Sequence, residues 1–187
     1  MKYNIIYADP PWRFSSKELQ KYSGERFTSI DKHYDTMSIS DIKNLPIKAI
    51  TAKDCAIFLW ATDAHIKEAI EVMESWGFKY KTIAFIWQKK TITGKTYSTL
   101  GAWTLKNCEV CLLGTKGRML KHKQTNNVKQ LVNEVRGRHS RKPNGVRYSI
   151  EQLFGDLPRI ELFAREKQEG WHVWGNEVES DIQIMAN

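Results

Sequence analysis

Six short runs limit what this chain can fold into: "YNIIYA", "CAIFLWA", "KTIAFIWQK", "EVCLLGT", "RIELFARE" and "WHVWGNE". Several are apolar without interruption. A strand wet on one face alternates apolar and polar residues; a strand covered on both faces does not. The runs therefore predict a mostly parallel sheet with helices on both sides. The intervening segments fit. In "TDAHIKEAIEVMESWGF", Ile66, Ala69, Ile70, Met73 and Trp76 recur at helical spacing, and Gly77 is a suitable stop. "MSISDIKNLPIKAI" opens a helix with Ser38 as N-cap, Asp41 as a capping-box-like acid three residues on, and Pro46 as its limit. "YSIEQLFGDL" reads as a further short helix. The expectation is a three-layer α/β fold of the Rossmann kind. Residues 13–36 and 90–106 read as long loops, which in a compact domain are usually functional.

With 187 residues, no linker and no internal repeat, the chain reads as one domain, 1–187. No signal segment precedes the first run and no apolar run reaches membrane-spanning length, so an intracellular, cytoplasmic protein without a membrane partner is expected. The net charge is +8, and it is unevenly placed. Lys116 to Arg147 holds ten Lys or Arg against one acid, Glu134, so this stretch carries +9 and the remainder −1. A local excess of this kind points to an anionic partner, nucleic acid, with Lys116, Arg118, Lys121, Lys123, Arg136, Arg138 and Arg141 as candidate phosphate contacts. The three cysteines do not form a disulfide framework. Cys108 and Cys111 have the spacing of half a zinc site, but residues three apart on a strand face opposite ways, so no metal is expected.

The first run ends in "ADPPW". In a parallel α/β sheet, ligands bind beyond the carboxyl ends of the strands. That rule puts Asp9 and the ends of "IFLWATD" and "IELFARE" on one rim. Asp9 brings a carboxylate there. Pro10 and Pro11 lack N–H groups, so they break the ladder and are expected to leave their carbonyls free on a stiff backbone. Trp12 offers a ring face on which a base could stack. Two acceptors beside an aromatic surface suit a planar group with an NH2, such as adenine or cytosine. Gripping both N–H bonds would turn the nitrogen lone pair out of the ring and aim it at a methyl donor, with positioning as the main contribution. A duplex target would first have to be flipped out.

"ADPPW" after an apolar strand resembles the catalytic signature of the adenine-amine (N6) methyltransferases, a family that includes the eukaryotic messenger-RNA adenosine methyltransferase catalytic subunit and bacterial and phage DNA-modifying relatives. "IFLWATDAHIKEAIEVMESWGFKYKTIAFIWQK", "EVCLLGTKG", "HSRKPNGVRYSIEQLF", "RIELFARE" and "WHVWGNE" resemble that family in order and spacing over roughly residues 3–178. The resemblance implies S-adenosylmethionine as cofactor, in a permuted order with the catalytic strand first and the cofactor strands last. It also accounts for the lack of a glycine-rich loop after an early strand. Carried over by motif, Asp9, Pro10, Pro11 and Trp12 would form the target pocket, with Asp9 also close to the methionine amino group. Lys142 would meet the methionine carboxylate, Glu161 the ribose hydroxyls with Arg165 beside them, and Asn176 and Glu177 the adenosine end or ribose. The loop at 90–106 lacks the long arginine-rich insertion of the messenger-RNA enzyme, which turns the expectation toward DNA. The same reaction on RNA and a catalytically silent nucleic-acid-binding subunit are the alternatives. A base deaminase would need a His/Cys zinc cluster with a nearby Glu, and the chain has none.

Overall fold

The computed structural model describes residues 1–13, 36–101, 103–137 and 141–184. Most of the first long loop, and Arg138 among the candidate phosphate contacts, lie outside them. The described residues form seven strands, β1 (Tyr3–Ala8), β2 (Thr51–Ala61), β3 (Lys79–Lys90), β4 (Cys108–Lys116), β5 (Leu131–Val135), β6 (Arg159–Leu162) and β7 (His172–Trp174). They form one sheet in the order β5-β3-β4-β2-β1-β6-β7. The expected three-layer α/β fold with a mostly parallel sheet is observed. The β1–β2, β1–β6, β6–β7 and β3–β5 pairs are parallel. β4 runs antiparallel to both its neighbours.

Among the described residues three α-helices cover the faces: α1 (Ile39–Asn44), α2 (Ile66–Ser75) and α3 (Asn144–Phe154). Ser38 caps α1 as expected. Its hydroxyl oxygen accepts from the Asp41 N–H at 3.1 Å and its O–H donates to the Asp41 carboxylate at 2.6 Å. Such a cap is worth about 1 kcal/mol. On one face Ile42 of α1 and Ala69, Val72 and Met73 of α2 pack against Ile6, Ile57 and Leu59. On the other, Val146, Ile150 and Phe154 of α3 pack against Ile5, Phe58 and Phe85. Alternate residues of β1 and β2 thus enter opposite cores, which is why those strands read as unbroken apolar runs.

Four tryptophans tie the layers together, each of these spending its one donor on a neighbouring element. Trp60 donates to the Tyr7 hydroxyl (2.7 Å), Trp76 to the Ile42 carbonyl (3.0 Å), Trp87 to the Glu134 carbonyl (3.0 Å) and Trp171 to the Glu151 carboxylate (2.6 Å). β5 lies in the basic stretch and has no counterpart in the sequence reading. It is an edge strand whose exposure alternates residue by residue, so it carries no apolar run. Among the described residues, no helix is long and apolar enough to cross a membrane.

Candidate active site

The register brings several strand ends to one rim. Ala8 pairs with Leu59 on one side and Leu162 on the other, and Leu162 pairs with Trp174. β1 continues to β2 on one side, while β6 and β7 lie on the other. The crevice beyond β1 and β6 is therefore the topological switch point, where α/β folds bind ligands. Asp9 follows β1 at this place.

Asp9 is ion-paired with Lys142 at 2.7 Å. The same ammonium lies 3.3 Å from Glu109, which a second lysine, Lys89, holds at 2.5 Å. Burial pushes the Asp9 pKa above the usual aspartate value, and the Lys142 charge offsets this only in part. Burial also raises Glu109, but Lys142 and Lys89 together outweigh it, so its pKa falls below normal. Burial opposes the charge on Lys142, yet Asp9 and Glu109 outweigh it and its pKa rises. The two carboxylates on one lysine are thus shifted in opposite directions, Asp9 upward and Glu109 downward.

The turn after Asp9 corrects two expectations. The proline carbonyls are not free: Pro10 accepts from the Trp12 N–H at 2.8 Å and Pro11 from the Met37 N–H at 3.0 Å. The first closes a three-residue turn around Pro11, whose ring sets the φ that such a turn needs. A carbonyl oxygen has two lone pairs, so the Pro10 oxygen can still accept a second bond. Trp12 is not an open stacking platform. It is 6% exposed, donates to the Trp60 carbonyl at 3.1 Å, and lies parallel to the His65 ring with centroids 5.7 Å apart. The indole anchors the turn to β2 as a pocket wall.

The candidate cofactor residues divide. Arg165 and Glu177 are ion-paired at 3.4 Å, so the segments after β6 and β7 meet at the rim, with Asn176 exposed beside them. Arg165 also acts electrostatically on Asp9. Glu161 is buried and grips Arg147 through both oxygens at 2.7 Å each. A ribose hydroxyl would have to share an oxygen already taken. Between these segments the backbone is tight. Phe163 holds φ at +60°, a costly conformation for a bulky residue, with its ring against Trp174. A Cβ on Gly175 would lie 2.1 Å from the Ala164 carbonyl oxygen, so only glycine fits. The donor set fits S-adenosylmethionine: cations for a carboxylate, acids for an amine and a diol, and aromatic rings alongside.

The basic stretch is not one track. β4 is antiparallel, so Lys116 pairs with Cys55 near the start of β2, at the rim opposite Asp9. Lys116 donates there to Thr51, the Arg118 N–H to Asp54, and Lys121 pairs with Asp54 at 2.6 Å. The hydrogen bond from Lys121 holds the Asp54 pKa far below the carboxylate range. Lys123 follows the same turn and bonds to Asn126. Arg136 and Arg141 lie on the Asp9 rim. Arg136 follows β5, whose last residue pairs with Lys90, and its guanidinium lies 4.0 Å from the Tyr97 ring centroid. Arg141 pairs with Glu166 at 2.6 Å. Cys108 is exposed and Cys111 buried, so the two thiols diverge as expected.

Sequence reasoning missed Glu109, Arg147 and His65. Arg147 falls at the spacing of Ile150 and Phe154, on the apolar stripe of α3, a position that asks for a buried partner. Glu109 is an acid entering a buried strand. His65, 3% exposed, carried no comparable signal.

Comparison with known proteins adds independent findings. The MT-A70 family model matches residues 3–177. The chain is 37% identical over 195 residues to "Type II methyltransferase M.MunI" of Mycoplasma sp, covering 98% of this chain and 81% of that one. It is 30% identical to "Probable N(6)-adenosine-methyltransferase MT-A70-like" of Oryza sativa subsp. japonica, over 95% of this chain and 23% of that protein. It is 27% identical to "N(6)-adenine-specific methyltransferase METTL4" of Homo sapiens, over 94% of this chain and 37% of that protein.

Proposed function

The chain belongs to the MT-A70 family, and from that premise we propose that it transfers a methyl group from S-adenosylmethionine to the N6 amine of adenine in DNA. The observation that carries this reading is Asp9 at the switch-point crevice, beside a proline carbonyl with a lone pair to spare and over a lysine it shares with Glu109. S-adenosylmethionine, held by Arg165, Lys142, Asn176 and Glu177, would supply the methyl group as an electrophilic sulfonium carbon.

The chain's own residues do the rest. Asp9 and the Pro10 carbonyl each accept one N–H of the amine and turn its lone pair outward. Lys142 keeps Asp9 ionised in a place where burial alone would favour the neutral acid. Asp9, which faces the crevice and whose pKa burial raises, accepts the proton that the methylated nitrogen releases. Pro11 fixes the turn, and Trp12 closes the pocket wall with His65. The type II relative, which matches over four-fifths of its own length, favours DNA as the substrate.

The test is tritiated methyl transfer to matched DNA and RNA oligomers. Asp9→Ala should reduce transfer by at least about 10³-fold, since it removes positioning and base together, while cofactor binding by calorimetry persists. Retained activity sinks the mechanism. A preference for the RNA oligomer replaces DNA with RNA.

A further inference from the structure

The loop joining β3 to β4 has no part in the site just described. It leaves the Asp9 rim, because Lys90 and Cys108 both lie at that end of the sheet. It is tied there by the ion pair of Lys106 with Asp63, which follows β2, at 2.9 Å. The loop is built, not trailing. Thr99 and Lys106 exchange N–H···O bonds at 2.8 Å each, closing a hairpin. A Cβ on Gly101 would lie 2.5 Å from the Thr104 carbonyl, so the turn is tight. Its tip presents Leu100 and Trp103, which is 95% exposed, with Ile92 exposed on the same loop. All seven tryptophans are described; five are buried, Trp174 is half-buried, and Trp103 alone stands in solvent.

Residues 89–106 hold four lysines and no acid. Glu109 answers Lys89 and Asp63 answers Lys106, which leaves Lys90 and Lys95, with Arg136 next to Tyr97, as the excess charge. Basic residues interleaved with exposed apolar and aromatic side chains match nucleic acid: cations for phosphates, a ring for bases. A second copy of this chain would bring like charge to like charge.

We propose that this hairpin is a nucleic-acid contact in which Trp103 enters the base stack of the DNA beside the target adenine. Taking a base out of a duplex leaves its neighbours unstacked, and an indole on the same rim can cover them. The proposal rests on the functional reading above, and the following experiment separates their failures.

Because Trp103 is the exposed indole, iodide quenching of tryptophan emission reports on it, and the quenchable fraction should be largely absent in Trp103→Ala. Addition of an adenine-containing DNA duplex should protect that fraction in the wild type. Trp103→Ala should raise KM for the duplex about 5- to 150-fold, the range for one base stack, with little change in KM for S-adenosylmethionine; Trp103→Phe should restore most of it. A wild type that methylates adenine while Trp103 stays quenchable, or an alanine variant with unchanged KM, overturns the proposal and leaves the function standing. Protection by DNA without methyl transfer supports the contact and overturns the function. Protection that grows with protein concentration in the absence of DNA makes the patch a self-association surface and overturns the contact.

Discussion

Asp9 and Glu109 share the Lys142 ammonium, yet their acidities move in opposite directions. The difference is a second lysine: Lys89 also serves Glu109, whereas Asp9 faces the crevice with partial burial and one close cation. This gives a signed expectation. In the proposed mechanism activity needs ionised Asp9, so it should be lost as pH falls through a pKa that lies above the usual aspartate value of about 4. Lys142→Met removes the charge that lowers this pKa and should move the acid limb of kcat/KM to higher pH. The measurement is a pH profile at saturating cofactor. A limb that does not move in the lysine variant would deny Lys142 its hold on Asp9. At this scale the sequence named Asp9 and Lys142 but not Glu109. The link between them spans 133 residues of chain and appears only when β1, β4 and the segment before α3 are brought together.

Among the elements, α3 and β6 are joined by the buried Arg147–Glu161 pair. Both oxygens of the acid are used, and the guanidinium also reaches Asn144 at 3.0 Å and lies 5.4 Å from the Tyr7 ring centroid. Removing one partner of such a pair strands a buried charge and costs about 3–5 kcal/mol. Glu161→Leu should therefore lower the denaturation midpoint sharply. Adding Arg147→Met should recover most of that loss, because a buried ion pair is often no better than apolar residues of the same volume. Urea titration of the three proteins checks it. If the double variant is as unstable as the single, the pair contributes more than mutual neutralisation. The helices and six of the strands were legible from local pattern, with ends shifted by a few residues. β5 was not, because an exposed edge strand in a basic stretch has no apolar signature.

For the whole molecule, the direction of one strand reorganises the charge. The run from Lys116 to Arg141 is continuous in sequence, but antiparallel β4 starts at the Asp9 rim and ends at the far one, about 27 Å away for nine residues of extended chain. Lys121 and Arg118 close a turn on Asp54 there, while Arg136 and Arg141 return to the site. Arg136→Gln should lower the slope of log affinity against log salt by about 1, and Lys121→Gln should leave it nearly unchanged. Fluorescence anisotropy with a labelled duplex between 50 and 200 mM salt, the range over which phosphate contacts show, decides it. Equal slope changes would put both rims on the nucleic acid. By itself the sequence determined the chemistry: an acid and two prolines closing a buried parallel strand, a lysine and an arginine–acid set late in the chain, and apolar runs that demand cover on both faces. These are local properties of composition and period. Only the tertiary structure decided which charges meet. It seated Glu109 opposite Asp9, withdrew Glu161 and Trp12 into the core, and sent half of the basic stretch to the other rim. Strand order and direction follow from packing the whole sheet, and no local pattern encodes them.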